Sequence, residues 1–408
     1  MPEAVIVATA RTPIGRAFKG SLVEMRGDDL AALAIKAALA KVPAVDPATV
    51  EDVLMGCAQP AGEQGYNIAR VAGILAGLPD VPGTTVNRYC SSSLQTIRMA
   101  AHAIKAGEGD VFVAAGVECV SRFAKGKSDG MEGTKNPRFD DAQARTARRA
   151  QGEGGDWAPG TGLPDAYIAM LATAENVAQL RGVTREAQDA FAARSQQRAE
   201  AAQKSGFFAE EITPVTTPSG AVVSDDDCPR PGTTAEKLAG LRPVLVDGLG
   251  DRATVTAGNA CPLNDGAAAV VVMSEARVEA TGLRPLARIV STGVSALNPE
   301  IMGLGPVEAS RQALARAGLG IDDMDLVEIN EAFAAQVIPS ARDLGVDPDK
   351  LNVHGGAIAL GHPFGMTGAR ILTTLLHGLQ ARGGRYGLET MCVGGGQGMA
   401  MVIERIDR

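Results

Sequence analysis

Aromatic residues are scarce, at 3% of 408. Aliphatic side chains and alanine must therefore build the interior, since hydrophobic residues as a whole still make up 45%. There is no CxxC pair among cysteines 57, 90, 119, 228, 261 and 392, and no metal-ligand spacing between them and histidines 102, 354, 362 and 377. This argues against a zinc site or a disulfide framework and for free thiols in a reducing cytosol. No run is long and apolar enough to span a bilayer. The opening "MPEAVIVATARTPIG" lacks a basic head followed by a long apolar stretch, so no secretory signal is expected and a cytoplasmic location is. Positive charge is also in deficit. A net charge of −8 gives the chain no reason to seek nucleic acid or an anionic membrane.

What is abundant is glycine, 49 residues, and an alternation of short apolar runs with Ala-rich helical periods. "EAVIVATA", "VEDVLMGCA", "TTVNRYC" and "DVFVAAGVECV" read as strands. "LAALAIKAALAKV", "NIARVAGILAGL" and the segment Ser91 to Lys105 read as the helices between them. Such alternation predicts a mostly parallel sheet covered on both faces. From about Arg122 the pattern breaks into Gly, Pro, Asp and Arg. It then gives a helical stretch from "AYIAMLATAENVAQL" through "REAQDAFAARSQQRAEAAQKSG" and the loose "TTPSGAVVSDDDCPRPG". The excursion 122–250 reads as an insertion of the lid or binding-loop kind. Within it, Arg122 to Arg149 holds eight Lys/Arg and four Asp/Glu, a local +4. A solvated face is the default for such a run, with an anionic ligand as the alternative. After "GAAAVVVMSEARVEATG", the strand–helix pattern starts again at "LARIVSTGVSA". Loop 352–368 then holds in the second half the place that residues 87–93 hold in the first. This is a topological duplication with little residue identity.

Four residues stand at carboxyl ends of strands or in the loops that follow, where open α/β sheets place their ligands. Cys90 precedes a helix, where unpaired N–H groups and the positive dipole end favour thiolate over thiol, although a buried cysteine is commonly inert. Asn330 in "EINEAFAAQ" is placed either to orient an oxyanion or to cap a helix. His362, between Gly361 and Pro363 in "HGGAIALGHPFG", is a rigidly held candidate base. His102 and His377 fall mid-helix, where packing or solvation is the simpler account. Cys392 precedes "VGGGQG", whose glycines either aim N–H groups at a ligand oxygen or form a bulge.

"NRYCSSSLQ", "NEAFA", "GGAIALGHPFG" and "CVGGGQG", in that order, together with "VIVATARTPIG", "TAENVA" and "TAGNACPLNDGAAA", resemble the thiolase family over essentially the whole chain. The resemblance implies an α/β fold with a five-layered α-β-α-β-α core made of two duplicated βαβαβαββ halves and an inserted loop domain. The division would be 1–121 plus 251–284, 122–250 as the loop domain covering coenzyme A, and 285–408. It implies a thiolytic acyltransferase of fatty acid metabolism acting on 3-ketoacyl-CoA, or acetoacetyl-CoA synthesis in reverse. Coenzyme A would be substrate rather than cofactor, no metal would be bound, and the protein would be a homo-oligomer, dimer or tetramer.

Carried over by motif, Cys90 would hold the acyl group with help from His362. Cys392 would exchange the α-proton. The backbone N–H groups of Cys90 and Gly394 would serve the acyl oxygen, and His362 with a water on Asn330 the enolate oxygen. Met170, Ala257, Gly258, Cys261, Phe333 and His354 would meet substrate or coenzyme A.

Departures bear on the substrate. Ala169, Met170 and Leu171 stand where many acetoacetyl-CoA-type thiolases carry His-Met-Gly. Cys261 followed by Pro262 replaces a serine that touches pantetheine, His354 replaces a common Asn, and Ser91 a common Gly. "NRYCSS" looks more like the degradative enzymes. The rivals are a condensing ketoacyl or hydroxymethylglutaryl synthase, against which the second cysteine counts, and a catalytically silent thiolase-fold binding protein, against which the intact quartet counts.

Overall fold

A computed structural model describes residues 2–153 and 155–406. Met1, Gly154, Asp407 and Arg408, which the division above includes, lie outside the described residues.

The first half runs β1 (Ala4–Arg11), α1 (Gly27–Ala40), β2 (Asp52–Gly56), α2 (Ile68–Leu75), β3 (Gly83–Val86), α3 (Ser92–Ala106) and β4 (Val111–Cys119). An excursion then carries a helix over Asp140–Ala150, α4 (Met170–Arg181) and α5 (Arg185–Lys204), and the chain returns as β5 (Asn264–Ser274). The second half follows as β6 (Ala287–Ala296), α6 (Gly305–Ala317), β7 (Leu326–Ile329), α7 (Ala334–Leu344), α8 (Thr367–Arg382), β8 (Tyr386–Val393) and β9 (Gln397–Arg405).

Strand order is β1-β5-β4-β2-β3 in one half and β6-β9-β8-β7 in the other. Leu351 adds a parallel bridge beyond β7, in the place of β3. First, last, penultimate, second and third strands therefore lie side by side in both halves, which is the duplication expected from sequence. The two halves meet through a short antiparallel contact, Val5 and Ile6 on Arg288 and Ala287.

The expectation of a mostly parallel sheet is corrected. Only β2–β3, β2–β4 and β7–β8 pair in parallel, while β1–β5, β4–β5, β6–β9 and β8–β9 are antiparallel. The cause is local for β8 and β9: a three-glycine turn joins them, too short for the crossover a parallel pair requires.

Burial explains the layering. Leu94, Ile97, Ala101 and Ile104 of α3 pack with Ile371, Leu372, Leu375 and Leu379 of α8 into one core between the two sheet halves. Helices α1 and α2 cover the outer face of the first half, and α6 and α7 that of the second. The result is α-β-α-β-α. Both α3 and α8 sit in the middle layer, so the loops at their N-termini, which carry Cys90 and His362, open at the same place.

The excursion is anchored on both halves. Arg11, fully buried, donates through Nε to Glu211 at 2.7 Å and through Nη1 and Nη2 to Asp226 at 2.8 and 3.0 Å. On the other side Ser195 of α5 donates to Glu331 at 2.6 Å. Two local expectations shift. The loose stretch 216–232 takes part in a small ribbon, Val215–Thr216 on Val222–Val223, and α4 starts only at Met170, leaving 166–169 non-helical. Among the described residues no helix is long and apolar enough to cross a membrane.

Candidate active site

Cys90 occupies a single tight turn, Tyr89–Ser91, just ahead of α3. Tyr89 takes φ 43°, a left-handed conformation that costs a bulky residue energy and marks a site where structure overrides local preference. With Gly394, Phe364, Gln59 and Met170, Cys90 lines a cleft of about 680 Å³. The wall opposite is the non-helical stretch 166–169 together with residues 127–130 and 134–135 of the excursion.

Of the two readings of Cys90, a thiolate favoured by position or a buried thiol, its surroundings favour the thiol. Burial pushes its pKa up to about 11, and the backbone N–H groups of Gly394 and of Cys90 itself pull the other way without prevailing. Desolvation of the anion outweighs the helix terminus. The thiol therefore needs a base.

His362 is the candidate for that base. Its ring is buried, and burial, reinforced by the charge of Arg370, pushes its pKa down to about 3, so the imidazole is neutral. Thr367 donates its hydroxyl proton to the Pro363 carbonyl at 2.7 Å, so its oxygen must accept from His362 Nδ1 at 2.6 Å. This assigns the proton to Nδ1 and the lone pair to Nε2. The backbone N–H of His362 donates to Asn264 Oδ1 at 2.9 Å. Gly361 before it has φ 108°, and a Cβ there would stand 2.7 Å from the Asn264 amide, so only glycine admits this approach.

Asn330 continues β7, and its Nδ2 lies 3.3 Å from His362 Nε2. Its Oδ1 is buried and has no protein partner among the described residues, an acceptor free for a ligand or water. The helix-capping alternative fails, because α7 starts at Ala334 with Phe333 at the cap. Neighbouring Glu331 holds the strand end: it accepts from Ser195, from Asn352 Nδ2 at 2.8 Å and from the Ile358 backbone at 3.2 Å.

Cys392 is fully buried at the end of β8, packed with Met302, Phe333 and Ala335. Burial pushes its pKa well above the usual thiol range, and the nearby sulfurs of Cys90 and Cys261 push the same way. The sulfurs of Cys90, Cys261 and Cys392 thus lie near one another, and the imidazole of His362 meets the amide of Asn330.

The other expected contacts divide. Met170 lines the cleft. Cys261 joins the site through its backbone bond to Ala332 at 3.0 Å, and Phe333 through packing against Cys392. Ala257 is exposed in a turn, and Gly258 packs against Leu238 and Leu241 instead of lining the cleft. His354 stacks on Phe207 at 3.7 Å, off the cleft, where burial lowers its pKa to about 4. Of the basic run, Lys127 and Lys135 reach the cleft wall, whereas Arg122 pairs with Glu63.

One buried carboxylate escaped sequence reading. Glu118, at the end of β4, accepts from the backbone of Ala58 at 2.8 Å, Gln59 at 3.3 Å and Gly365 at 3.0 Å, and from Gln64 at 2.8 Å. It ties the cleft wall of one half to the loop carrying His362 in the other. Nothing local in "GVECV" signals this, since every partner is distant in sequence.

The family model described as "Thiolase, N-terminal domain" matches residues 4–276, and "Thiolase, C-terminal domain" matches residues 283–405. The chain belongs to the thiolase family. Over 419 aligned residues it is 47% identical to the 3-oxoadipyl-CoA/3-oxo-5,6-dehydrosuberyl-CoA thiolase of Escherichia coli (strain K12), covering 100% of both chains. It is 45% identical to a 3-ketoacyl-CoA thiolase of Bacillus subtilis (strain 168), covering 99% of this chain and 100% of the relative. The crystal structure of the Bacillus anthracis acetyl-CoA acetyltransferase superposes with a TM-score of 0.85 at 39% identity, covering 100% of this chain and 99% of that one. Within the thiolase fold the motifs "NRYC" and "CVGGG" reach the cleft through Tyr89, Cys90 and Gly394, with Phe364 beside "GHP", while "NEAF" meets "GHP" through Asn330 and His362.

Proposed function

We propose that this thiolase cleaves 3-ketoacyl-CoA with coenzyme A to acetyl-CoA and a shortened acyl-CoA, through a thioester on Cys90. The carrying observation is the neutral His362, with its Nε2 lone pair directed by Thr367, in a site that also holds two thiols from opposite halves. His362 takes the Cys90 proton, and the thiolate adds to the 3-keto carbon, whose oxygen meets the N–H groups of Cys90 and Gly394. The bond between carbons 2 and 3 breaks. The enolate left on acetyl-CoA, held by His362 and Asn330, takes the proton of Cys392. The thiol of an incoming coenzyme A then returns a proton to Cys392, its sulfur displaces Cys90 as the shortened acyl-CoA leaves, and Cys90 recovers its proton from His362. Two thiols are needed because one must bond carbon while the other exchanges a carbon-bound proton.

The test is mass spectrometry after incubation with acetyl-CoA. Acetyl on Cys90 is expected, absent in Cys90→Ser and retained, without α-proton exchange, in Cys392→Ala. Acetyl on Cys392 of the unaltered enzyme would overturn the roles.

A carboxyl-terminated acyl chain is the second reading. Its support is the pair Lys127 and Lys135 on the cleft wall, together with the 3-oxoadipyl-CoA relative. Lys127→Gln with Lys135→Gln would then lower kcat/KM for 3-oxoadipyl-CoA more than for a neutral ketoacyl-CoA. An equal fall for both would assign the lysines to coenzyme A phosphates. In the division 1–121 plus 251–284, 122–250 and 285–408, the boundary at 284/285 has support from the break between the matched family regions. Homo-oligomerisation is supported by β3, which ends the sheet with one edge unpaired among the described residues, and a cytoplasmic location by six free cysteines. Light scattering and cell fractionation would check these.

A further inference from the structure

The two N–H groups assigned to the acyl oxygen come from different halves of the chain, Cys90 from the first and Gly394 from the second. Their spacing is therefore a tertiary property, and the segment carrying Gly394 is intrinsically the looser. Gly395 and Gly396 follow it with φ of 76° and 77°. Three successive glycines have more conformational freedom to lose than any other tripeptide. Something must hold them.

Arg88, two residues before the nucleophile, does so. Its Nη1 donates to Gln397 Oε1 at 2.8 Å, and Gln397 Nε2 donates onward to the Gly394 carbonyl at 3.3 Å. Its Nε is held by Gln95 Oε1 at 3.1 Å, on the helix that follows Cys90. No carboxylate pairs with Arg88 among the described residues, and burial lowers its pKa. An arginine kept partly desolvated without an acid loses hydration and gains no ion pair, so its return lies in the neutral bridge it makes. The Gly394 turn rests on Tyr89 as well, since a Cβ on Gly394 would touch that ring at 3.4 Å. Nucleophile turn and glycine turn are thus joined by the chain Gln95–Arg88–Gln397–Gly394.

We propose that Arg88 and Gln397 are positioning residues, a latch between the two halves that fixes the N–H groups of Cys90 and Gly394 on one oxygen. The proposal rests on the assignment of Cys90 as the acylated residue. Neither side chain lines the cleft, and both are engaged with each other and with Gln95 and Gly394, so they act on the site through the loops they hold.

The experiment compares Arg88→Met, Arg88→Lys, Gln397→Ala, Gln397→Glu and the Arg88→Met/Gln397→Ala pair with the unaltered enzyme. Thermal melts confirm folding, and the Gln397 variants carry the test if Arg88→Met does not fold. Because misplacement of a reacting group by about 1 Å costs on the order of 10² in rate, kcat is expected to fall roughly ten- to a hundredfold, with KM changed less than about threefold.

The double variant should be no worse than the worse single one, since one chain is cut twice. Gln397→Glu keeps a partner for Arg88 but loses the donor to Gly394, so it should resemble Gln397→Ala. Arg88→Lys should recover part of the loss. The carbonyl stretch of isotope-labelled acetyl-enzyme should move to higher frequency in the variants, because a looser oxyanion site polarises the thioester less. A merely structural lesion would leave that frequency unchanged. Variants with unaltered kcat, or with an unaltered carbonyl frequency, overturn the latch. Absence of acetyl-Cys90 in the unaltered enzyme would instead overturn the underlying site assignment.

Discussion

Asn330 Nδ2 stands 3.3 Å from His362 Nε2, with the side-chain oxygen Oδ1 buried and without a protein partner among the described residues. An amide in this position serves charge that develops on the enolate more than formation of the thioester. Asn330→Ala should therefore lower kcat by about two orders of magnitude while Cys90 still becomes acetylated. Deuterium exchange into the methyl group of acetyl-CoA measures the affected step. Undiminished exchange would remove Asn330 from the mechanism.

Free Cys90 is held as a thiol by burial, with a pKa of about 11. The rate of alkylation by iodoacetamide should accordingly keep climbing through pH 9 and beyond. A plateau reached below pH 8 would mean that the N–H groups around the sulfur outweigh its desolvation after all.

Gly361→Ala tests the pose of the histidine. At φ 108°, with a Cβ 2.7 Å from the Asn264 side chain, alanine is both strained and obstructed. A loss of roughly 1–3 kcal/mol in unfolding free energy is expected, with a fall in kcat. Gly107→Ala at φ 78° meets no atom within 4 Å and serves as control, with a loss of about 1 kcal/mol and unchanged kcat. Denaturant unfolding with parallel assays separates the two. Equal activity in both variants would show that the loop tolerates displacement.

Glu328 lies buried in β7 with its pKa raised to about 8, chiefly by burial and partly offset by Arg370. A carboxyl raised on folding binds more protons in the folded than in the unfolded chain between its ordinary pKa and the raised value. Stability from this group is thus present at low pH and lost as pH rises to about 8. Glu328→Gln removes that loss. The melting temperature of the variant relative to the unaltered enzyme should therefore rise between pH 5 and pH 8.5. A difference that stays flat or falls would mean that Arg370 keeps the carboxylate ionised.

Much of this molecule is legible along the chain because its chemistry sits at punctuation. Cys90, Asn330, His362 and Cys392 each follow an apolar run and sit in small, polar or glycine-rich sequence, the local mark of a strand end that meets a ligand. Strand and helix periods, the excursion and the doubling of the pattern were readable for the same reason: they depend on spacing between near neighbours. Strand direction was legible only for β8 and β9, joined by three glycines, because elsewhere it is set by which strands become partners.

Only the packing of two halves around α3 and α8 decided the rest. It made Cys90 a thiol by burying it, brought Asn330 to His362, and made Glu118 and the Arg88–Gln397 contact into ties across the site. Desolvation and hydrogen bonding between residues hundreds of positions apart follow from burial in three dimensions, and no local pattern of residues encodes them.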